Sequence, residues 1–187
     1  MTTPTDIFVQ KYAKDVIKAV AGTGLYPSLT MAQMIIESSG NDENGKFGIG
    51  KGLATRKANN YFGIKADSSW KGPSVTLSTP RDGKPVSKFR VYGSALSSIK
   101  DHTRFLLQNS RYKSAGVFSA KTPQQQAQAL QKAGYSESPT YSRALIGLIK
   151  AYHLEDLDNH ALPKPAKTVI VISTLALLLL GAYYLSE

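Results

Sequence analysis

The sequence predicts an α+β fold that is predominantly helical, with one small β-hairpin and a single transmembrane helix near the C-terminus. Apolar residues recur every four positions in the first helix, which indicates that one face is buried. The pattern changes to strand-like stretches at 74–78 and 86–91, and Asp82-Gly83 between them favours a hairpin turn. Residues 168–185 carry no charge. As a helix they would span about 27 Å, close to the hydrocarbon core of a bilayer.

Apolar spacing and end signals together define six helices before the C-terminal segment. The predicted helices lie at about 5–21, 28–39 and 53–60, then from Ser94, after Thr122-Pro123 and after Ser138-Pro139. Ser28 is expected to cap the second helix, and residues 41–52, which contain four glycines, are expected to form a loop. The domain organisation predicted from these elements is one compact unit over 1–157, a linker at 158–167 and the membrane helix at 168–185.

Composition excludes several classes of site. The chain has no cysteine, and its three histidines are far apart, so disulfides, cysteine nucleophiles and ordinary metal sites are not predicted. No organic cofactor is implied either. The net charge of +10 favours a polyanionic partner: nucleic acid, an anionic membrane surface or a bacterial cell wall. Nucleic acid is not expected, because no helix concentrates the basic residues on one face and no nucleic-acid-binding motif is present.

Glu37 is the acidic residue whose surroundings suggest chemistry. It follows the most apolar run of the N-terminal region, at 31–36, and precedes Ser38-Ser39-Gly40 at the predicted helix end. A carboxyl group placed against apolar side chains loses solvation, which should raise its pKa and keep it protonated. Such a group can protonate a leaving alkoxide. The alternative from spacing alone is a solvated glutamate at a frayed helix end.

Six sequence blocks surround or follow this residue in a distinctive order. They are Ala-Gln-x-x-x-Glu-Ser at 32–38, Asn-Asn-Tyr-Phe-Gly-Ile-Lys at 59–65, Trp-x-Gly at 70–72, Phe-Arg-x-Tyr-x-Ser at 89–94, Asp-His at 101–102 and Gly-Tyr-x-x-x-Pro-x-Tyr at 134–141. Aromatic, amide and glycine residues of this kind suit a groove that stacks on sugar rings and binds their acetamido groups. The candidate substrate-binding residues are Asn60, Tyr61, Phe62, Trp70 and Tyr141.

This order of blocks resembles the glucosaminidase domain of bacterial and phage peptidoglycan hydrolases, glycoside hydrolase family 73, over about residues 24–153. The resemblance implies a lysozyme-like fold and cleavage of the β-1,4 bond between N-acetylglucosamine and N-acetylmuramic acid. It implies peptidoglycan glycan strands as the partner. It places the general acid at Glu37 and a groove tyrosine at Tyr135.

The hairpin departs from the family pattern. The family often has a glutamate there as a proposed second carboxylate, whereas this chain has Arg81 followed by Asp82. Asp82 is therefore the candidate second catalytic residue, although it also suits a turn before Gly83, and Asp67 is a poorer candidate. The substrate's own acetamido oxygen could act instead, with Tyr135 orienting it. A lytic transglycosylase and an inactive wall-binding protein stay open as alternative functions.

The C-terminal segment predicts a membrane location. Lys164 and Lys167 flank it on one side, and Tyr183 and Tyr184 lie where interfacial aromatic residues are expected. A buried core helix is the alternative. The N-terminus lacks the apolar stretch of a secretion signal. A C-terminal membrane helix without an export signal favours a phage lysin, held in the host inner membrane or a virion membrane.

Overall fold

The structure, a computed structural model, describes residues 2–77 and 87–160, and it confirms a predominantly helical fold with small hairpins. The elements in chain order are α1 (Pro4–Val20), α2 (Pro27–Ser38), β1 (Gly40–Asn41), β2 (Phe47–Gly48), α3 (Leu53–Ala58), β3 (Ser74–Leu77), β4 (Ser87–Arg90), α4 (Ala95–Gln108), α5 (Ser110–Ser114), α6 (Pro123–Lys132) and α7 (Tyr141–Ala151). Short 3₁₀ helices cover Val117–Ser119 and Leu154–Asn159.

Local capping fixes the starts of several helices where the sequence predicted them. Thr3 caps α1, since its hydroxyl accepts from the backbone N–H of Asp6 and the Asp6 carboxylate accepts from the Thr3 N–H in return. Ser94 and Thr122 cap α4 and α6 through their side chains. Pro123 occupies the first turn of α6, where its missing N–H costs no hydrogen bond.

Two other helix starts differ from prediction. Tyr26, not Ser28, is the N-cap residue of α2. Ser28 lies inside the first turn, where its N–H and hydroxyl both donate to the carboxylate of Asp158 at 2.8 and 2.7 Å. The last long helix, α7, begins at Tyr141, so the predicted cap at Ser138-Pro139 is wrong. The folded region therefore includes Asp158, one residue beyond the predicted domain end.

The described strands form two small antiparallel sheets. In one, Ser74 lies opposite Arg90 and Leu77 opposite Ser87, as the predicted hairpin requires. The other pairs Gly40–Asn41 with Phe47–Gly48, mostly within the segment 41–52 that was predicted to be a loop. The hairpin tip at 78–86, which carries Arg81 and Asp82, lies outside the described residues.

Helix α2 is the centre of the core. Met31, Met34 and Ile35 are completely buried, because α1, α6, α7 and the final 3₁₀ helix pack around α2. Burial on nearly every face explains why this helix reads as a continuous apolar run rather than an amphipathic one. In the ranges 2–77 and 87–160 no helix has the length and hydropathy needed to cross a bilayer. The predicted membrane segment at 168–185 lies outside those ranges.

Candidate active site

Glu37 occupies the last turn of the buried helix α2 and is itself only partly buried. The chain then turns back against the helix end, where Gly52 donates its N–H to the carbonyl of Ser38 at 2.8 Å. A Cβ on Gly52 would lie 2.9 Å from that carbonyl oxygen, and a Cβ on Gly40 would lie 2.7 Å from the Cα of Gly52. These two glycines therefore allow the loop to pack directly beside the glutamate.

Tyr141 holds the carboxyl group of Glu37. The Tyr141 hydroxyl donates to Oε1 of Glu37 at 2.8 Å and accepts from the side-chain amide of Gln33, one helical turn earlier, at 3.3 Å. The Tyr141 side chain is 1% exposed. Its burial, and secondly the negative charge of Glu37, raise the pKa of Tyr141 well above 10, so the phenol stays a hydrogen-bond donor. Tyr141 was predicted to bind substrate, and the structure places its hydroxyl on the candidate acid.

Tyr135 lies beside this pair because of the way α6 ends. Gly134 adopts φ 69°. The Gly134 N–H donates to the backbone carbonyl of Gln131, and the Tyr135 N–H donates to the backbone carbonyl of Leu130. This Schellman arrangement ends the helix and sends Tyr135 back across the fold. Its ring stacks on that of Tyr141, with centroids 5.4 Å apart and planes 20° apart. The structure thus brings together Glu37 and the predicted groove tyrosine.

His102 contacts Tyr135 from α4, a role that the Asp-His block in the sequence does not indicate. Its Nε2 lies 3.1 Å from the Tyr135 hydroxyl oxygen. The imidazole is fully buried and stacks on Phe62 at 3.9 Å between centroids, with planes 7° apart. Burial lowers the pKa of His102 to about 3, so the ring is neutral near pH 7. Phe62, whose ring packs face to face on the imidazole, is itself buried, with 5% of its surface exposed.

Asn60 and Tyr61 use their side-chain polar groups for hydrogen bonds within the fold. The Asn60 side chain is completely buried and makes hydrogen bonds of 2.9 to 3.0 Å to the carbonyls of Ile64 and Arg90 and to the N–H of Ile64. The Tyr61 hydroxyl lies 2.7 Å from that of Tyr12, and the residue is 7% exposed. Both residues were predicted to bind substrate, and in the structure their side-chain polar groups make hydrogen bonds within the fold.

Trp70 lines a separate cleft of about 380 Å³ at the base of the β3–β4 hairpin. Its indole N–H donates to the carbonyl of Pro73, and the guanidinium of Arg90 lies over its ring at 4.7 Å. Arg90 also pairs with the buried carboxylate of Asp101 at 2.9 Å, which accepts a further bond from the Tyr92 hydroxyl. Glu37 does not line this cleft. Trp70 is therefore placed in a different part of the described surface from the candidate acid.

The second catalytic group is not located by the described residues. Asp82, the candidate, lies within 78–86, outside them. Asp67 is described; it lines the Trp70 cleft, forms a salt bridge with Arg90 and accepts a hydrogen bond from Ser69. Across 2–77 and 87–160, no three His, Asp or Glu side chains converge where they could hold a metal ion.

Comparison with known proteins identifies the family of this chain. The profile of the Glucosaminidase family, described as mannosyl-glycoprotein endo-beta-N-acetylglucosaminidase, matches residues 13–154. The chain is 44% identical over 96 residues to the peptidoglycan hydrolase FlgJ of Salmonella typhimurium, and this match covers 49% of the chain and 30% of that protein. The chain spans about a third of the length of the curated relatives it matches.

Solved structures agree with the family match. The structure superposes on the glycoside hydrolase domain of Salmonella typhimurium FlgJ with a TM-score of 0.62 at 33% identity, covering 83% of this chain and 91% of that one. The TM-score is 0.67 at 28% identity for the catalytic domain of the autolysin Auto from Listeria monocytogenes, covering 84% of this chain and 89% of that one. Both comparisons support the lysozyme-like fold expected from the sequence. Because the profile match extends over most of the chain and includes Glu37, Tyr135 and Tyr141, the chain belongs to the glucosaminidase family of glycoside hydrolases.

Proposed function

We propose that this protein is an endo-β-N-acetylglucosaminidase that hydrolyses the β-1,4 bond between N-acetylglucosamine and N-acetylmuramic acid in peptidoglycan, with Glu37 as the general acid. The observation that carries the proposal is the 2.8 Å hydrogen bond from Tyr141 to Glu37 at the end of α2. It joins Glu37, the one carboxyl side chain of the block at 32–38, to Tyr141, the second tyrosine of the block at 134–141. Two blocks separated by about a hundred residues thus meet at one chemical group.

The hydrogen bond also assigns the two oxygens of Glu37 different tasks. Oε1 accepts from Tyr141, so the acidic proton belongs on Oε2. Transfer of that proton to the glycosidic oxygen releases the leaving sugar as an alcohol and leaves positive charge at the anomeric carbon, as expected for an oxocarbenium-like transition state. The bond from Tyr141 strengthens as Glu37 becomes a carboxylate, because hydrogen bonds to ionised acceptors are stronger.

The group that acts on the opposite face of the sugar is either Asp82 or the substrate's acetamido oxygen. In the second route the acetamido oxygen attacks the anomeric carbon, and Tyr135 orients that group. An Asp82→Asn variant separates the routes, together with a thiazoline analogue of the cyclised sugar. Loss of activity without inhibition by the thiazoline supports Asp82. Retained activity with strong inhibition supports the acetamido route.

Analysis of the released fragments tests the function itself. The full chain would be incubated with purified peptidoglycan, and the products would be reduced with borohydride and analysed by mass spectrometry. Glu37→Gln is the test variant, and Glu43→Gln is the matched control because Glu43 is an exposed surface residue in a salt bridge with Arg56. We expect reduced N-acetylglucosamine ends from the wild type and the control, and none from Glu37→Gln.

Other products would refute the proposal in defined ways. Anhydro-muramyl ends would indicate a lytic transglycosylase, and reduced muramic acid ends would indicate cleavage of the other glycosidic bond. Wall binding without any released fragment would indicate a protein that has lost the hydrolytic chemistry, in line with Arg81 at the position where the family often has glutamate.

We also propose that residues 168–185 anchor the enzyme in a membrane, so that it acts as a lysin in a host inner membrane or a virion membrane. The proposal is supported by the absence of charge in that segment and by the net charge of +10, which favours an anionic envelope. The anchor is tested by flotation with lipid vesicles, in which the full chain is compared with a Leu177→Lys, Leu178→Lys double variant. Detection in purified virions tests the phage assignment.

A further inference from the structure

His102 is the buried polar residue whose geometry has the most consequence for the candidate site. Its ring is completely buried on α4, between the face of Phe62 and the edge of Tyr135. Nε2 lies 3.1 Å from the Tyr135 hydroxyl oxygen. Nδ1 is buried and has no hydrogen-bond partner among the described residues. Within 2–77 and 87–160 the histidine therefore makes one polar contact, which is with the groove tyrosine.

The position of the imidazole proton follows from this asymmetry. A neutral imidazole carries a single N–H, on one nitrogen or the other. If the proton were on Nδ1, a buried N–H donor would have no acceptor, which costs the full desolvation of that group. If it is on Nε2, the N–H is satisfied by Tyr135 and only an acceptor lone pair stays unpaired. The second arrangement is the favourable one, since orphaned buried donors are rarer than under-used acceptors.

We propose that His102 is a positioning residue, which donates from Nε2–H to the Tyr135 oxygen and so fixes the Tyr135 hydroxyl as a hydrogen-bond donor directed away from α4. The phenol oxygen receives one proton from the histidine, and its own proton is directed to the other side. An N-acetyl-hexosamine offers the matching acceptor, the carbonyl oxygen of its acetamido group. Tyr135 therefore presents a donor, rather than an acceptor, to that sugar.

The stacked pair of tyrosines then has a division of roles. Tyr141 donates to Glu37 at 2.8 Å, while Tyr135, stacked on it, donates toward the sugar. Phe62 contributes by holding the imidazole plane at 3.9 Å, which prevents the histidine from rotating its N–H away from Tyr135. The expected change in kcat/KM rests on the proposed function, but the hydrogen bond between His102 and Tyr135 can be measured without any reaction.

The test compares four forms of the full chain: wild type, His102→Phe, Tyr135→Phe and the double variant. Phenylalanine keeps the stack on Phe62 but has no N–H. His102→Gln is the rescue variant, since its amide can place an N–H near the position of Nε2. The readouts are kcat/KM on peptidoglycan, the Kd of an N-acetylglucosamine trimer, the thermal midpoint, and the ¹⁵N resonances of the His102 ring.

We expect His102→Phe to lower kcat/KM and trimer affinity by about tenfold, the loss of roughly one hydrogen bond. His102→Gln should recover most of that loss. In the Tyr135→Phe background the same substitution should change either quantity by less than about twofold, because the histidine acts through the tyrosine. The ¹⁵N spectrum should show Nε2 protonated, and Tyr135→Phe should shift that resonance.

Several results would overturn the inference. Multiplicative losses in the double variant, or a loss in His102→Phe that follows the thermal midpoint and is not recovered by glutamine, would indicate a merely structural histidine. A protonated Nδ1 would refute the donor direction. If the wild type releases no fragments, the proposed function fails, while the trimer affinities and the ¹⁵N spectrum still decide whether His102 orients Tyr135.

Discussion

Acid should destabilise this fold through His102. The pKa of this residue is about 3 in the folded protein, whereas the ordinary value is 6.5, because the buried ring cannot hold a charge. Between those values the unfolded chain binds a proton that the folded chain does not, so the free energy of unfolding falls as the pH falls. The contribution of His102 is nil above pH 6.5 and grows by about 1.4 kcal/mol for each pH unit below it.

The magnitude is measurable at a pH where most carboxylates are still ionised. From pH 6.5 to 4.5 the expected loss is about 2.7 kcal/mol, two units at 1.36 kcal/mol each. The assay is urea unfolding of the full chain, followed by the fluorescence of Trp70, at pH 7.0 and 4.5 for the wild type and His102→Phe. The difference between the two losses isolates His102, because the other titrating groups are common to both proteins.

We expect the wild type to lose about 2.7 kcal/mol more than His102→Phe between the two pH values. A change in stability caused by the substitution itself cancels, since each protein is compared with itself. Equal losses in the two proteins would refute the reasoning. They would mean that His102 titrates alike in the folded and unfolded chains and is therefore not held in a dry site.

Three further substitutions test the hydrogen bonds around the site. Tyr141→Phe should move the alkaline limb of the pH–kcat profile to higher pH, because Glu37 loses a donor that favours its ionised form, and an unchanged limb would contradict the contact. Asn60→Ala should lower the free energy of unfolding in urea by about 3 kcal/mol, since three buried bonds to the backbone are lost. A raised KM at unchanged stability would instead indicate a substrate contact. Asp101→Asn should cost about 3 kcal/mol in the same assay, because Arg90 is left without its buried partner, and a loss below about 1 kcal/mol would count against that pair.

The predictable parts of the fold are those set by neighbours in the sequence. Helix α1 was predicted from the spacing of Phe8, Tyr12 and Val16, all of which are buried. The helix starts at Ser94 and Thr122 were predicted because each cap needs only a side-chain oxygen that accepts from the backbone N–H three residues later. The β3–β4 hairpin was predicted for the same reason, since adjacent strands pair through local turn chemistry.

The features that could not be predicted depend on contacts between distant segments. Ser28 looks like a cap in the sequence, but Asp158, 130 residues away, supplies the carboxylate that satisfies the start of α2. Asn60 stands in a block of aromatic residues that suggests a sugar groove, yet its amide is enclosed by the backbone of 64 and 90. His102 carries no pattern that distinguishes a core histidine from one aimed at Tyr135.

The position of Glu37 at the end of a helix gives its acidity two opposing controls. The C-terminal end of a helix carries partial negative charge, which disfavours a carboxylate in the last turn of α2 and keeps the proton on the acid. The bond donated by Tyr141 favours the carboxylate instead. A general acid must hold its proton before the reaction and release it during the reaction, so it needs both effects. The helix end alone would bind the proton too strongly, and the hydrogen bond from Tyr141 alone would bind it too weakly. The end of the buried helix α2 and the tyrosine from α7 therefore together set how readily Glu37 releases its proton.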